Sequence, residues 1–305
     1  MNVGLVGCGR WGVNILRDLQ ALGCRVWVAG TEDSRRRAES AGAQGTFAAI
    51  AQLPAVAGIV IAVPTAVHAA AIEEAAERGV PLFVEKPLTA DVASAERLAA
   101  RLAGRLFVMD KWRYHPGVEA LAAIARRGEL GRVRGLVTAR LGWGNPHADV
   151  DGVWVLAPHD LSIALEVFGR VPEPRAARGV GGPGPASHLV ALLGDDPWHC
   201  LEVSTVHPAH RREVRLECSE GAAVLDDGYA DAISIVRYDR LDRPAAEAVE
   251  RRPVSTELPL LRELRAFVEH LRGGPAPRSS AAEGAAVVRA VAEMRRLARL
   301  PEARP

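Results

Sequence analysis

The sequence lacks an excess of either charge and any closely spaced pair of cysteines. Its 38 basic residues nearly balance 37 acidic ones, for a formal net charge of +1. A nucleic acid or an anionic membrane as the main partner would require a basic excess, so we expect neither. Cys8, Cys24, Cys200 and Cys218 lie far apart, without a nearby histidine to complete a zinc set. We expect no metal site and reduced, mostly buried thiols.

Long apolar runs are also missing. No segment approaches the roughly 20 apolar residues of a membrane-spanning helix, and no charged segment leads into a hydrophobic one as in an export signal. We therefore expect a soluble, cytoplasmic protein. The 305 residues are enough for two domains, each with its own core.

The first third of the chain alternates short apolar runs with segments of helical spacing. Ile15, Leu19 and Leu22 follow helical spacing up to Gly23. Continuous apolar strands that alternate with amphipathic helices indicate a parallel sheet covered on both faces. The prediction is a doubly wound α/β Rossmann domain over residues 1–116. Its predicted strands are Val3–Val6, Val26–Ala29, Gly58–Ala62, Pro81–Val84 and Leu106–Met109.

After Pro116 the pattern changes, and strand-like stretches crowd together behind one helix, Val118–Arg127. Consecutive strands with short turns predict an antiparallel sheet in an α+β domain over residues 117–305, closed by two helices. The sequence GVGGPGPAS (Gly179–Ser187) is a loop by composition. The predicted strands are Val133–Leu141, Leu189–Leu193, Cys200–Val206, Val214–Cys218, Ala222–Leu225 and Ile233–Val236.

The sequence GLVGCGRWG has the glycine spacing of a dinucleotide-binding loop, between the first predicted strand and the first predicted helix. Gly7 permits a tight turn, Gly9 the close approach of a pyrophosphate, and Gly12 the packing of helix on strand. The helix N-terminus would hold the phosphates. This context favours dinucleotide binding over an ordinary turn, and we assign Arg10 and Trp11 to the same cofactor site.

The end of the second strand indicates which dinucleotide binds. An acid there would bind the ribose 2′-hydroxyl of NAD, but this chain has Gly30 followed by Thr31. Acidic residues come late, and Arg35 lies early in the following helix. A missing acid, a hydroxyl and a nearby guanidinium favour a 2′-phosphate, so NADP is preferred over NAD. The alternative is a solvated basic helix face.

The sequence FVEKPL places Glu85 and Lys86 at the carboxyl end of a buried strand, where open α/β sheets bind ligands. Pro87 favours extended geometry at Lys86. A charged pair directly after PLFV is unusual for a plain strand end. The alternative is a surface ion pair before a helix.

These residues resemble the glucose–fructose oxidoreductase / inositol 2-dehydrogenase / rhizopine-catabolism family of NAD(P)-dependent oxidoreductases. The similarity also includes IVIAVPTAVHAAAIEEAAERGVPLFVEKPL (Ile59–Leu88), FVMDKWRYHPGVEAL (Phe107–Leu121) and APHDLSIALEVFG (Ala157–Gly169). The resemblance implies a second domain whose open, mostly antiparallel sheet forms the substrate cleft. Because that sheet is often an oligomer interface in the family, we expect a homodimer or homotetramer.

The resemblance further implies hydride transfer between a nicotinamide and a secondary alcohol or ketone of a sugar, cyclitol or nucleotide-linked sugar. Lys86 would hydrogen-bond the reacting oxygen, and His159 would be the acid/base. A lysine can stabilise negative charge on that oxygen, and an imidazole titrates near neutral pH. The residues that the resemblance assigns to the cofactor are Pro64, Thr65, His68, Glu85 and Lys86.

The family motif Asp-x-Gly-x-His is incomplete in this chain. Four residues before His159, the position of the aspartate holds Val155, which can neither exchange a proton nor bind a hydroxyl. Either a nearby aspartate replaces the carboxylate, or Lys86 and His159 work without one, or catalysis has been lost. The candidate replacements are Asp149, Asp151 and Asp160.

Two segments are rich in groups that recognise sugars, DKWRYHP (Asp110–Pro116) and GWGNPHADVDG (Gly142–Gly152). Indole rings stack on sugars or bases, although Trp112 and Trp154 could equally belong to the core. For the second segment we favour function, because recognition residues concentrate on loops held by a rigid scaffold. The predicted substrate-binding residues are Lys86, Trp112, Arg113, Trp143, Asn145, His147 and Asp160.

The sequence is therefore compatible with two main functions. The first is an oxidoreductase whose partner is a small-molecule carbohydrate, favoured by the presence of both Lys86 and His159. The second is a dinucleotide-binding sensor or regulator without turnover, favoured by Val155. A glycosidase that uses bound NAD⁺ is a distant third, because the chain offers no obvious additional site for it.

Overall fold

The computed structural model describes residues 1–145, 149–180 and 185–301. Within those ranges, no helix combines the length and the apolar character needed to span a membrane. The chain divides into two compact units. The first unit consists of Met1–Lys111 and a later segment, Leu258–Val288. The residues between these segments, with residues 289–301, form the second unit.

The first unit contains a six-stranded parallel sheet with helices between its strands. The strands are β1 (Asn2–Val6), β2 (Arg25–Ala29), β3 (Gly45–Phe47), β4 (Ile59–Ile61), β5 (Leu82–Glu85) and β6 (Leu106–Met109). The helices are α1 (Gly12–Ala21), α2 (Glu32–Ser40), α3 (His68–Ala76) and α4 (Val92–Arg101). The order β3-β2-β1-β4-β5-β6 is the doubly wound one. The predicted Rossmann fold is confirmed.

The five predicted strands of this sheet were recognisable because each is a continuous apolar run buried on both faces. In β4, Ile59, Val60 and Ile61 are all fully buried. Strand β3 was missed because its three residues are only half-buried and form no apolar run. Hydrophobic patterning therefore reveals the interior of a parallel sheet more readily than its edge.

The second unit contains an eight-stranded sheet in the order β14-β13-β12-β11-β7-β10-β9-β8. In chain order, the elements are α5 (Pro116–Arg127), β7 (Val133–Trp143), α6 (Gly152–Phe168), β8 (Pro174–Val180), β9 (His188–Leu193), β10 (Trp198–Ser204), β11 (Val206–Cys218), β12 (Gly221–Leu225), β13 (Ala232–Arg237), α7 (Ala245–Ala248) and β14 (Val249–Pro253). All neighbouring strands are antiparallel except β7 and β10. The predicted α+β fold with a mostly antiparallel sheet is confirmed.

The sequence did not predict the two edge strands of this sheet, β8 and β14. Their sequences, PRAARGV and VERRP, carry charge and proline rather than an apolar alternation. Charge and proline protect an edge strand against pairing with other chains, and they also hide it from pattern recognition. Gly179 and Val180, predicted as loop, are the last residues of β8.

Two helices follow, α8 (Pro259–Leu271) and α9 (Ala281–Leu297). The sequence placed both in the second domain, whereas the structure groups Leu258–Val288 with the first unit. The reason is packing: Phe267 of α8 stacks on Phe83 of β5, with 4.8 Å between ring centroids. The apolar face of α8 thereby completes the core of the parallel sheet.

Candidate active site

The glycine loop follows β1 at the point where the strand order reverses, which is where such sheets bind ligands. Gly7 has φ +87°, and a Cβ there would lie 2.6 Å from the carbonyl oxygen of Ala62. A Cβ on Gly12 would lie 2.5 Å from the carbonyl oxygen of Gly7. At Gly9 the space is open, with no atom within 4 Å of a Cβ. The loop therefore fits a dinucleotide. Gly7 and Gly12 are closely packed against backbone, and Gly9 is open where a pyrophosphate would approach.

The end of β2 leaves no room for a ribose-binding acid. A Cβ on Gly30 would lie 2.7 Å from Oγ of Ser34. That hydroxyl is itself engaged, because it accepts the backbone N–H of Cys8 at 2.6 Å. The hydroxyl of Thr31 caps α2 by accepting the N–H of Ser34 at 3.4 Å. Ser34, which the sequence analysis did not single out, thus joins α2 to the glycine loop.

The two arginines at the start of α2 differ in their partners. Arg36 pairs with Glu32 at 2.8 Å and with Asp33 at 3.6 Å on an exposed helix face. Arg35 is half-buried, and its Nε makes no hydrogen bond to the residues that the structure describes. The two acids are therefore engaged by Arg36, whereas the buried Nε of Arg35 has no hydrogen-bond partner among the described residues.

His68, which the resemblance assigned to the cofactor, is buried beneath the loops. Its Nδ1 lies 2.8 Å from the carbonyl oxygen of Pro87, and its Nε2 lies 3.0 Å from that of Val63. It therefore ties the loop after β4 to the turn after β5. Of the neighbouring predicted residues, Thr65 is buried and Pro64 is exposed. A role for His68 towards a cofactor would be to position these loops.

The structure brings the glycine loop and the Glu85–Lys86 turn together. Nε1 of Trp11 donates a hydrogen bond to Oε1 of Glu85, and the backbone N–H of Lys86 donates to Oε2 at 3.2 Å. Burial raises the pKa of Glu85, while Lys86 and Lys111 act in the opposite direction. Nζ of Lys111, which sequence analysis missed, lies 4.3 Å from the centre of the Trp11 ring.

A second buried carboxyl group, that of Glu263 on α8, interacts electrostatically with Glu85 and Lys111. Glu263 is 1% exposed, and neither carboxyl oxygen has a hydrogen-bond partner among the described residues. Burial raises its pKa well above the ordinary value, Glu85 and Asp110 raise it further, and Lys111 opposes them. The sequence itself indicates this burial. Leu260, Glu263 and Phe267 share one helix face, so this acid lies on the apolar side of α8.

In the second unit, helix α6 carries His159. The side chain of Asp151 caps the helix by accepting the N–H groups of Val153 at 3.1 Å and Trp154 at 3.2 Å, and it also pairs with Arg295. Trp154 is 3% exposed, which fits its core alternative. His159 is half-buried. The two carboxyl oxygens of Asp151 are therefore both engaged, one by the helix cap and one by the ion pair.

Asp160 is fully buried and bound to β7. Nε and Nη2 of Arg140 donate to its two oxygens at 2.9 and 3.3 Å. Burial raises the pKa of Asp160, opposed chiefly by Arg140. The Arg140 guanidinium lies 4.2 Å from the centre of the Trp112 ring, and Trp112 stacks on His115. Asp160 and Trp112, both predicted to bind substrate, thus make these contacts with other residues of the second unit.

The remaining predicted substrate residues have different surroundings. Arg113 is buried and pairs with Glu166 at 3.3 Å. Trp143 is 79% exposed at the end of β7. Nδ2 of Asn145 donates to the carbonyl of Val150 at 2.9 Å.

His147 lies outside the described residues. Within the described ranges, no group of three metal-binding side chains was found. The four cysteines are free thiols, three of them buried.

Comparison with known proteins points to the same family as the sequence motifs. Residues 1–108 match a family model described as "Oxidoreductase family, NAD-binding Rossmann fold". Inositol 2-dehydrogenase from Renibacterium salmoninarum is 36% identical over 105 residues, which are 32% of this chain and 32% of that protein. The match thus spans about a third of the length of this curated relative.

Similar solved structures cover almost the whole chain. UDP-N-acetylglucosamine 3-dehydrogenase from Acidithiobacillus ferrooxidans has a TM-score of 0.82 at 24% identity and covers 97% of each chain. A 3-ketoreductase from Actinomadura kijaniata, in complex with TDP-benzene and NADP, has a TM-score of 0.83 at 20% identity and covers 97% of this chain and 96% of that one. At these identities the likeness establishes the two-domain fold. Residues 1–108 of this chain thus match the oxidoreductase family with the NAD-binding Rossmann fold, which is the family that the sequence motifs resemble.

Proposed function

We propose that the protein is an NAD(P)-dependent oxidoreductase that transfers hydride between the nicotinamide and a secondary alcohol or ketone of a sugar, cyclitol or nucleotide-linked sugar. The observation that carries the proposal is the position of Lys86. It follows β5 at the ligand-binding edge of the sheet, and Glu85 links it to Trp11 of the glycine loop. The names of the relatives, which are sugar or cyclitol dehydrogenases and a ketoreductase, support this chemistry.

The roles of the residues follow from their chemistry. A bound nicotinamide dinucleotide would supply the hydride donor or acceptor. The backbone around Gly9 would hold the pyrophosphate, and Glu85 would receive the nicotinamide ribose. The ammonium group of Lys86 would stabilise negative charge on the reacting oxygen and donate a proton to it. His159 would exchange that proton as acid or base.

NADP is the preferred cofactor in this proposal. Gly30 leaves no acid to bind a 2′-hydroxyl, and the packing of Ser34 against it excludes a larger side chain. Arg35 retains a donor without a partner among the described residues, whereas Arg36 is engaged by two acids. A planar guanidinium suits the oxygens of a 2′-phosphate.

The alternative, a dinucleotide-binding sensor without turnover, has one observation in its favour. Val155 is buried where family members carry an aspartate, and two of the three candidate replacements are bound in buried ion pairs. Asp149 is the candidate that remains. Lys86 and His159 would have to act without a carboxylate from Asp151 or Asp160.

Turnover decides between the two functions. The purified protein would be assayed with NADP⁺ and NAD⁺ against sugar alcohols, cyclitols and aldoses, and with NADPH and NADH against keto-sugars. We expect change in nicotinamide absorbance at 340 nm with at least one carbohydrate, and stronger activity with the NADP pair. Tight dinucleotide binding without turnover of any member of these classes would support the sensor instead.

The expected partner of the protein is a small carbohydrate. The homodimer or homotetramer and the cytoplasmic location expected from the sequence stay predictions. Sedimentation velocity across a range of protein concentrations would test the oligomeric state directly.

A further inference from the structure

Two arginines lie directly opposite each other in the sheet of the second unit. Arg140 on β7 pairs in register with Arg212 on the antiparallel strand β11. Residues paired in this way project from the same face of the sheet, and like charges at such a position repel. Arg140 defines that face, because its guanidinium binds Asp160 of α6.

The carboxylate of Asp160, which lies beside this pair, is bound by one of the two arginines. Both oxygens of Asp160 accept from Arg140. Nη1 of Arg212 instead donates to the backbone carbonyls of Leu141 and Arg211. No hydrogen bond from its Nε or Nη2 joins the described residues, and no carboxylate there lies within ion-pair distance of it. One edge of the Arg212 guanidinium is therefore open.

The electrostatic surroundings of Arg212 favour the addition of an anion. Burial and the charge of Arg140 lower the pKa of Arg212, and Asp160, Tyr229 and Asp227 oppose that effect from a distance. Oδ1 of Asp227 accepts the backbone N–H of Tyr229 at 2.7 Å. The guanidinium is thus partly desolvated, lies near a second cation, and is in ion-pair distance of no carboxylate among the described residues.

We propose that Arg212 recognises an anionic group of the substrate, a carboxylate or a phosphoryl group. The inference rests on the proposed function and narrows its substrate class to acidic or phosphorylated carbohydrates. An arginine fork binds two oxygens of such a group at once, which gives both affinity and orientation.

The location of Arg212 suits a recognition site. The pairing of β11 with β7 shifts register between Val206 and Arg211, directly before Arg212. Such irregularities re-aim side chains and are frequent next to binding sites. The face that carries Arg212 is also the one on which Asp160 of α6 is bound, and Asp160 follows the proposed acid/base His159 in the chain.

The test measures binding by calorimetry in the protein saturated with NADP⁺, so that the glycine loop is already occupied. The probes are D-glucuronate, D-glucose 6-phosphate and neutral D-glucose. We expect one of the two charged probes to bind at least about 10-fold more tightly than glucose. The probe that does so identifies the group as carboxylate or phosphoryl.

Matched variants locate the effect. Arg212→Gln should remove the preference for the charged probe, and Arg212→Lys should retain part of it. Arg211→Gln is the control, because Arg211 is exposed and pairs with Glu213. A preference equal in wild type and in Arg212→Gln would overturn the proposal, as would equal binding of charged and neutral probes. If Arg212→Gln does not fold, Arg212→Lys alone decides: a reduced preference supports the proposal, and a preference equal to that of the wild type overturns it.

The failure of this proposal can be told apart from the failure of the proposed function. Anion binding that depends on Arg212, without turnover of any carbohydrate, would leave the site standing and refute the oxidoreductase. Turnover of neutral carbohydrates at equal rates in wild type and in Arg212→Gln, without preference for a charged probe, would support the oxidoreductase and refute the anion site at Arg212.

Discussion

Arg140 on β7 holds Asp160 on α6 through two hydrogen bonds, of 2.9 and 3.3 Å, and both side chains are almost completely buried. Asp160 follows His159 in the chain, yet its carboxylate turns into the protein towards the sheet. The ion pair therefore fixes the helical turn that carries His159. The carboxylate that stands nearest to His159 in the chain is thus engaged through both of its oxygens.

Replacing Asp160 by alanine should reduce the free energy of unfolding of the second unit by about 3–5 kcal/mol, because a buried guanidinium then loses its counter-ion. Urea titration followed by circular dichroism measures the loss. Asp195→Asn is the matched control: Asp195 pairs with Arg175 at 2.7 Å, but the two side chains are 76% and 47% exposed. This exposed pair should contribute less than about 1 kcal/mol. Equal losses in the two variants would show that burial does not matter.

Replacing Lys86 by methionine should leave cofactor affinity nearly unchanged and reduce turnover by about 10²–10⁴-fold, the range expected for loss of a general acid. Methionine keeps the aliphatic body of the side chain and removes the charge. Quenching of protein fluorescence by NADPH measures affinity, and single-turnover absorbance measures the chemical step. A rate equal to that of the wild type would remove Lys86 from the mechanism.

Replacing Arg35 by alanine should weaken NADPH binding by about 10–100-fold, the equivalent of one charged hydrogen bond, and change NADH binding little. Arg36→Ala is the control on the same helix, because Arg36 is already paired with Glu32 and Asp33. Dissociation constants for both reduced cofactors are needed for each variant. A similar loss for NADH, or an equal loss in Arg36→Ala, would contradict a specific role in 2′-phosphate binding.

Glu263 should make the first unit less stable as pH rises. Its pKa is raised in the folded protein, so the folded state binds more protons than the unfolded state above the ordinary glutamate pKa of about 4.3. Stability then falls with increasing pH until the raised pKa is passed, with a slope of at most about 1.4 kcal/mol per pH unit.

Glu263→Gln should flatten this pH dependence, because the amide resembles the neutral acid and cannot ionise. Glu269→Gln, at an exposed position of the same helix, should leave it unchanged. Urea unfolding from pH 4 to pH 9 measures both variants against the wild type. A slope that persists in Glu263→Gln would assign the effect to another group.

Local patterns predicted much of the first unit. The strands of the parallel sheet and the glycine loop could be read because their signals extend over a few consecutive residues: an apolar run, a helical repeat, a spacing of glycines. Gly7 meets Ala62 as the motif requires, and Glu85 and Lys86 end a buried strand. The edge strands escaped prediction because exposed backbone does not demand an apolar pattern.

The sequence by itself thus determined the architecture, the dinucleotide-binding loop and the residue types available for chemistry. Tertiary structure decided which of those residues are free to act. Asp160, which the sequence predicts to bind substrate, is held by Arg140, 20 positions earlier, and Arg212 lies opposite the same Arg140, 72 positions away. Glu263 joined the Glu85 cluster across most of the chain. Pairing across a sheet and packing of a distant helix depend on the whole fold. The hydrophobic periodicity of one segment therefore cannot predict them.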